Sequence, residues 1–264
     1  MPHNISGERG ALLNNPLFLL ISSENFAFVV YNRQSGFEVY PFLISWYNSV
    51  VDPLFRLSTY NDDTVAFLVV STPSMFEKTF LPYALDSSKD LSRDPIDCCV
   101  KEKIQTVIKK IPDYDIDVIF DYDLWPTRRP KIVMQTVGHV AGAARFYSRQ
   151  QLANDPFPKD RNMMGVCLHP KYGGWFALRS VLVFKTLKYP LLPRISSIDV
   201  LNGDESLVVD VLKRFNDCWE DNSYRNVIPV AETYSSLQQS YFQTKPKDRL
   251  VWLENLRQTY KEKH

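Results

Sequence analysis

The chain has 264 residues, 45% of them hydrophobic and 23% charged, with 31 Lys and Arg against 30 Asp and Glu for a net charge of +1. At ~150 residues per domain this predicts one large globular domain or two unequal ones, and the balanced charge leaves no electrostatic footprint for nucleic acid. Glycine is scarce at nine residues. G-x-G-x-x-G, a Walker A loop and G-x-S-x-G are all missing, so dinucleotide, NTPase and serine-hydrolase readings have no motif.

Residues 1 to 35 read as a leader. Its apolar run Pro16 to Ile21 is too short to span a bilayer and lacks the basic start of a secretory signal. Phe26 to Tyr31 has the pattern of a short strand. From Gly36 the pattern tightens. Val65 to Val70 is a continuous apolar run between turn-forming residues, the mark of a buried strand. Ser74 with Glu77 predicts a capping box opening a short helix. Asp94 before Pro95 predicts an N-cap and a first-turn proline, leading a helix with Val100, Ile104, Val107 and Ile108 on one face. Ile116 to Phe120 predicts a strand ending in Asp121-Tyr122-Asp123. Pro126 to Pro130 is a stiff connector, since proline fixes its own φ and restricts its predecessor.

A helix is expected from about Lys131 to Gln150. Its middle, Gly138-His139-Val140-Ala141-Gly142-Ala143-Ala144, is rich in small residues and favours a tight helix-to-sheet contact. Met164 to His169 and Gly174 to Phe184 flank Pro170-Lys171-Tyr172-Gly173, which predicts an antiparallel hairpin. Strict alternation in the second strand puts Phe176, Leu178 and Leu182 on one face and Trp175, Ala177, Arg179 and Val181 on the other. Both faces are apolar, so the strand is expected to be covered on both sides. Pro190 to Ser197 is a linker. Leu207, Val208, Val211, Leu212, Phe215 and Trp219 form one amphipathic helix, and Leu250, Leu253, Leu256 and Tyr260 mark the last.

Cys98, Cys99, Cys167 and Cys218 form no C-x-x-C, and no H-x-x-x-H exists, so neither a disulfide framework nor a metal site built from side chains is expected. Reduced thiols imply the cytoplasm. Arg179, Arg225 and Arg249 sit in apolar or aromatic surroundings. For Arg179 the sequence leaves two readings open, an internal ion pair or an anionic ligand held by the guanidinium fork.

Gly36-Phe37-Glu38-Val39-Tyr40-Pro41-Phe42, Arg128-Arg129-Pro130-Lys131-Ile132, His139-Val140-Ala141-Gly142-Ala143-Ala144, Gly165-Val166-Cys167 and Gly173-Gly174-Trp175-Phe176-Ala177 stand in the order and spacing of one family. Over about Gly36 to Leu253 the chain resembles the cobalamin-processing CblC family, that of methylmalonic aciduria and homocystinuria type C. The resemblance implies an α+β fold with a core sheet like that of the flavin-dependent nitroreductases and flavin reductases. Residues 36–195 would be the cobalamin-binding core and 196–264 a helical cap contributing to a glutathione site.

The resemblance also implies an activity. Family members bind cobalamin base-off and remove its upper ligand. Alkylcobalamins lose their alkyl group to glutathione thiolate, leaving cob(I)alamin and a thioether. Cyanocobalamin is decyanated reductively, with electrons from reduced flavin, FAD or FMN. By position, the cobalamin contacts fall on Asp121, Ile132, Val133, Met134, Gln135, Phe146, Tyr147, Ser148, Cys167 and Leu178. The glutathione contacts fall on Arg179, Arg225, Arg249 and Tyr234. The family pattern has tyrosine at Phe146 and glutamine at Ser148. The shorter Ser148 would leave the space above cobalt more open to dioxygen, which implies a thiol oxidase side activity. Val137 stands where the cobalt-ligating D-x-H-x-x-G signature needs Asp, so His139 is not assigned to cobalt. The implied partners are a CblD-type adaptor protein and downstream B12-dependent enzymes, and the implied state is a monomer or a ligand-dependent homodimer. A flavin reductase on the same fold and a non-catalytic cobalamin chaperone are the alternatives.

Overall fold

The computed structural model describes residues 34–263, so the strand expected at Phe26 to Tyr31 lies outside the described residues. Four antiparallel strands form the central sheet: β1 (Phe37–Leu43), β2 (Thr64–Ser71), β6 (Ala177–Lys188) and β3 (Ile116–Phe120), in the order β1-β2-β6-β3. The mixed α+β class agrees with the sequence reading. Every residue of β2 is buried, as an apolar run in a central strand covered on both faces must be. Between β1 and β2 comes α1 (Ile44–Asn48).

The alternation of β2 feeds two cores. Val65, Phe67 and Val69 face one layer with Leu182, Phe184 and Phe120. It is covered by α3 (Pro95–Ile108), which follows a short α2 (Leu81–Leu85). Helix α3 contributes Ile96, Cys99, Val100, Ile104 and Val107. Asp94 caps it by accepting from the Asp97 N–H at 3.4 Å, with Pro95 in the first turn, as the sequence predicts. Ala66, Leu68 and Val70 face the other layer, with Val181, Val183, α1 and α4 (Met134–Val140). A third cluster joins β4 (Arg145–Tyr147) and β5 (Val166–Leu168), a separate two-stranded sheet, to α5 (Glu205–Asp217). The C-terminal α6 (Ser236–Gln243) and α7 (Arg249–Lys263) insert Tyr241 and Leu253 into the first core.

Five expectations are corrected. The helix expected over 131–150 is only the seven residues of α4. It stops because Gly142 takes φ +73° and the chain then turns into β4. The predicted hairpin does not form: β5 pairs with β4, while β6 pairs with β2 and β3. The 170–173 turn is closed only by a bridge between His169 and Gly173. The strict alternation of β6 fails, since Val69 pairs with Ser180 while Val70 pairs with Leu178. The extra residue in that bulge is Arg179. Leu178 therefore faces the α4 layer and Leu182 the α3 layer. The capping box is absent, because Glu77 accepts from the Ser235 hydroxyl instead and Phe76–Phe80 winds as a π turn. Finally, α5 ends at Asp217, leaving Trp219 beyond it and 60% exposed.

Candidate functional site

A cleft of about 650 Å³ opens on the α4 side of the sheet, at the end where β6 begins. One wall is the chain entering α4: Ile132, Val133, Met134 and Gln135. This segment is pinned from below. The Val133 N–H donates to the buried Tyr47 hydroxyl at 3.0 Å, and that hydroxyl donates to the Phe55 carbonyl at 3.1 Å. Opposite stand Gly165, Val166 and Cys167 with Phe176 and Leu178, and the rim carries Phe55, Asp121, Pro130, Phe215, Tyr224 and Arg225. The surface is largely apolar and aromatic, with a few polar groups around it, as small-molecule sites commonly are.

Small residues give the cleft its shape at two places. A Cβ on Gly138 would lie 3.2 Å from the Leu178 side chain, so α4 rests closely on β6. This is the helix-to-sheet contact expected from the sequence. A Cβ on Gly165 would lie 2.4 Å from the Phe146 ring, which lets Phe146 stack beneath the cleft wall. Gly142 plays no such part. Its Cβ would meet the Ile195 carbonyl oxygen at 2.5 Å, against the linker.

The cleft thus brings together Asp121, Ile132, Val133, Met134, Gln135, Cys167, Leu178 and Arg225. Phe146, Tyr147 and Ser148 are not among its lining side chains. They lie one layer behind, on β4 and just past it, with Phe146 paired to Cys167 across the ladder. Tyr147 donates to Asp199 at 2.7 Å, and burial together with that carboxylate holds its phenol far above the usual range. The Cys167 thiol donates to the Gln135 carbonyl, 3.7 Å away. Burial pushes it up to about 12, so it stays a neutral thiol at physiological pH. The two histidines among the described residues turn elsewhere. His139 Nδ1 lies 2.9 Å from the Ser197 hydroxyl, and burial with Arg145 and Arg194 lowers its pKa. His169 Nδ1 accepts from the N–H groups of Lys171 and Tyr172.

Arg179 and Arg225 lie at the same strand end. Because Arg179 is the bulged residue, its side chain leaves the α4 face and reaches α3. Its Nε donates to the Ser71 hydroxyl at 2.9 Å, and Nη1 stands 3.9 Å from Asp97. Its carbonyl accepts from the Asp121 N–H at 3.0 Å. The contact with Asp97 is long, and burial together with Asp94 and Asp121 lifts the Asp97 carboxyl to about 6 in spite of Arg179. Burial also raises Asp121, with Arg179 opposing it. Arg179 is therefore only loosely neutralised.

Arg225 is seated by two glycines. Its carbonyl accepts from the Gly174 N–H at 3.1 Å, and its Nη1 donates back to the Gly174 carbonyl. A Cβ on Gly173, which has φ +56°, would lie 2.3 Å from the Arg225 carbonyl oxygen. The guanidinium is enclosed by the rings of Trp175, Tyr224 and Tyr234 at 4.9 to 5.3 Å. Tyr234 stacks on Phe242 at 5.6 Å, and Arg249 lies over Tyr241 and Phe242 at 5.0 and 5.8 Å. The charges of Arg249, Asp94, Asp97 and Arg179 all act on the Tyr241 phenol. Arg225 and Arg249 thus share one aromatic cluster, while Arg179 is held by Ser71 and Asp97. Phe55, Phe215 and Tyr224 are parts of the site that carried no functional signal in the sequence.

The chain matches the family model described as the methylmalonic aciduria and homocystinuria type C family over residues 36–253. A chicken protein named cyanocobalamin reductase / alkylcobalamin dealkylase is 45% identical over 81% of this chain and 89% of its own length. The human protein of the same name is 41% identical over 83% of this chain and 76% of its own. The crystal structure of a C. elegans B12-trafficking protein, CblC, superposes with a TM-score of 0.78 at 31% identity, covering 87% of this chain and 94% of that one. In sequence and in fold, this chain belongs to the methylmalonic aciduria and homocystinuria type C family.

Proposed function

We propose that this chain is a cobalamin-processing enzyme, a cyanocobalamin reductase and alkylcobalamin dealkylase, as its relatives are named. It binds cobalamin base-off in the cleft and removes the upper ligand. The observation that carries the reading is an apolar and aromatic cleft with Arg225 on its rim, in the same aromatic cluster as Arg249. The macrocycle lies against Ile132 to Gln135 and Leu178, with Phe146, Tyr147, Ser148 and Cys167 supporting it. Glutathione carries two carboxylates, and Arg179, Arg225 and Arg249 with Tyr234 hold them. Cobalt and the glutathione thiolate carry the bond breaking, and the protein contributes orientation and the altered coordination state. Cys167 fits this division, since its neutral thiol does not compete with glutathione.

For decyanation, Phe176, Phe215 and Tyr224 would hold a reduced flavin, which would supply the electrons. We read the sheet as nitroreductase-like, with 36–195 as the cobalamin-binding core and 196–264 as the cap. No helix among the described residues is long and apolar enough to cross a membrane. We place the protein in the cytoplasm, handing its product through a CblD-type adaptor to B12-dependent enzymes. A thiol oxidase side activity belongs to the same proposal.

Anaerobic mixing with methylcobalamin and glutathione, followed by absorption spectroscopy, tests the reading. Cob(I)alamin is expected to appear. An unchanged base-off spectrum would make the protein a chaperone, and no spectral shift at all would remove both cobalamin readings.

A further inference from the structure

Helix α6 carries two buried polar groups that the fold leaves without partners. Tyr241 is fully buried and its hydroxyl makes no hydrogen bond. Gln238 is 2% exposed and its Oε1 is likewise unpaired. The two stand three residues apart, on one face of the helix. An unmet buried hydroxyl or amide destabilises a fold. Apolar residues of the same shape, phenylalanine and leucine, would avoid that cost, so packing alone does not account for either side chain.

Their position says what they are for. Serine 235 caps α6 by accepting from the Gln238 N–H at 3.0 Å and is anchored to Glu77, which fixes the helix at that end. Arg249 lies over the Tyr241 ring, and Phe242 of the same helix leads through Tyr234 to Arg225. The charges of Arg179 and Asp97 also bear on the Tyr241 phenol. We propose that Tyr241 and Gln238 are further binding residues for the thiol substrate. The Tyr241 hydroxyl donates to a carboxylate held by Arg249, and Gln238 Oε1 accepts an ammonium or amide N–H of the same molecule.

This inference rests on the arginine cluster being the glutathione site. Chemically it supplies what that cluster lacks. Guanidinium groups only donate, so three arginines recognise carboxylates but leave peptide N–H groups unmet. Gln238, with Asp97, provides acceptors. The site then selects a peptide thiol over a simple thiol by pairing both kinds of group. Burial, reinforced by Asp94 and Asp97, holds the Tyr241 phenol up at about 12, so it remains a donor across the neutral range.

The test is calorimetric titration of the protein, loaded with cobalamin, by S-methylglutathione, the thioether product of demethylation. Tyr241→Phe is expected to weaken binding at least tenfold, with a melting temperature equal to or above that of the native chain. Gln238→Leu is expected to weaken it several-fold. Should Gln238→Leu fail to fold, Tyr241→Phe decides alone. Affinity within twofold of native for Tyr241→Phe, or a loss that comes with a lowered melting temperature, overturns the inference. Arg225→Gln and Arg249→Gln are titrated alongside. If they lose affinity while Tyr241→Phe does not, only the role of α6 fails. If they also bind normally, the arginine cluster is not the thiol site and both readings fall.

Discussion

Arg179 is where sequence and structure meet most closely at the scale of single residues. The sequence left it between an internal ion pair and an anionic ligand. The structure gives it a hydroxyl partner in Ser71 and an ion pair with Asp97 at 3.9 Å, beyond hydrogen-bonding distance. On the proposed function, Arg179→Gln should raise the glutathione concentration needed for dealkylation by an order of magnitude or more. One charge-assisted contact is worth ~2 kcal/mol. Base-off cobalamin binding should persist, and its collapse in a spectral titration would make Arg179 a purely structural residue. Asp97 gives a pH prediction. Its carboxyl rises from 3.8 to about 6 on folding, so the folded chain holds the proton more tightly than the unfolded one. Between about pH 4 and 6 this group makes stability fall as pH rises. Asp97→Asn should remove that slope, so denaturation midpoints of variant and native chains should diverge in favour of the variant as pH rises through this window. Parallel curves would contradict it.

At the scale of elements, the sequence was most legible where one local rule acted alone. The buried run of β2, the Asp94–Pro95 start of α3 and the limits of β3 all agree with the structure. Misreadings occurred where two rules competed. His139 to Ala144 has helical composition, but Gly142 adopts a left-handed backbone that ends α4, with the linker carbonyl of Ile195 filling the space of its missing side chain. Gly142→Ala should therefore destabilise the fold by more than ~1 kcal/mol, from the positive φ alone, before the clash is counted. The lesion should appear in chemical denaturation, not as a selective loss of cobalamin affinity. A variant as stable as the native chain would show that the backbone relaxes there. In the same way β5 looked like the partner of β6, because a Pro-Lys-Tyr-Gly turn lies between them. The wide, both-faced burial of β6 commits its edges to β2 and β3 instead, and β5 finds β4.

At the scale of the whole molecule, the sheet divides the two proposed sites between its faces. Leu178 lines the cleft on the α4 side, and its neighbour Arg179 turns to the α3 side. Arg225 lines the cleft and also belongs to the aromatic cluster, linking the two. The thiol oxidase proposal belongs at this scale, since it needs both sites and dioxygen together. Protein, cobalamin and glutathione in air should consume oxygen, and Ser148→Gln should slow it. Equal rates would show that position 148 does not gate oxygen, and negligible consumption in both would remove the side activity. Ser148 is 9% exposed and does not line the cleft. By itself, the sequence determined the family and the α+β class, because these rest on local periodicity and motif order along the chain. Tertiary structure alone decided strand pairing, the bulge at Arg179, the glycine seat of Arg225 and the unpaired polar face of α6. Each of these depends on contacts between residues far apart in sequence, and local propensity carries no information about such contacts.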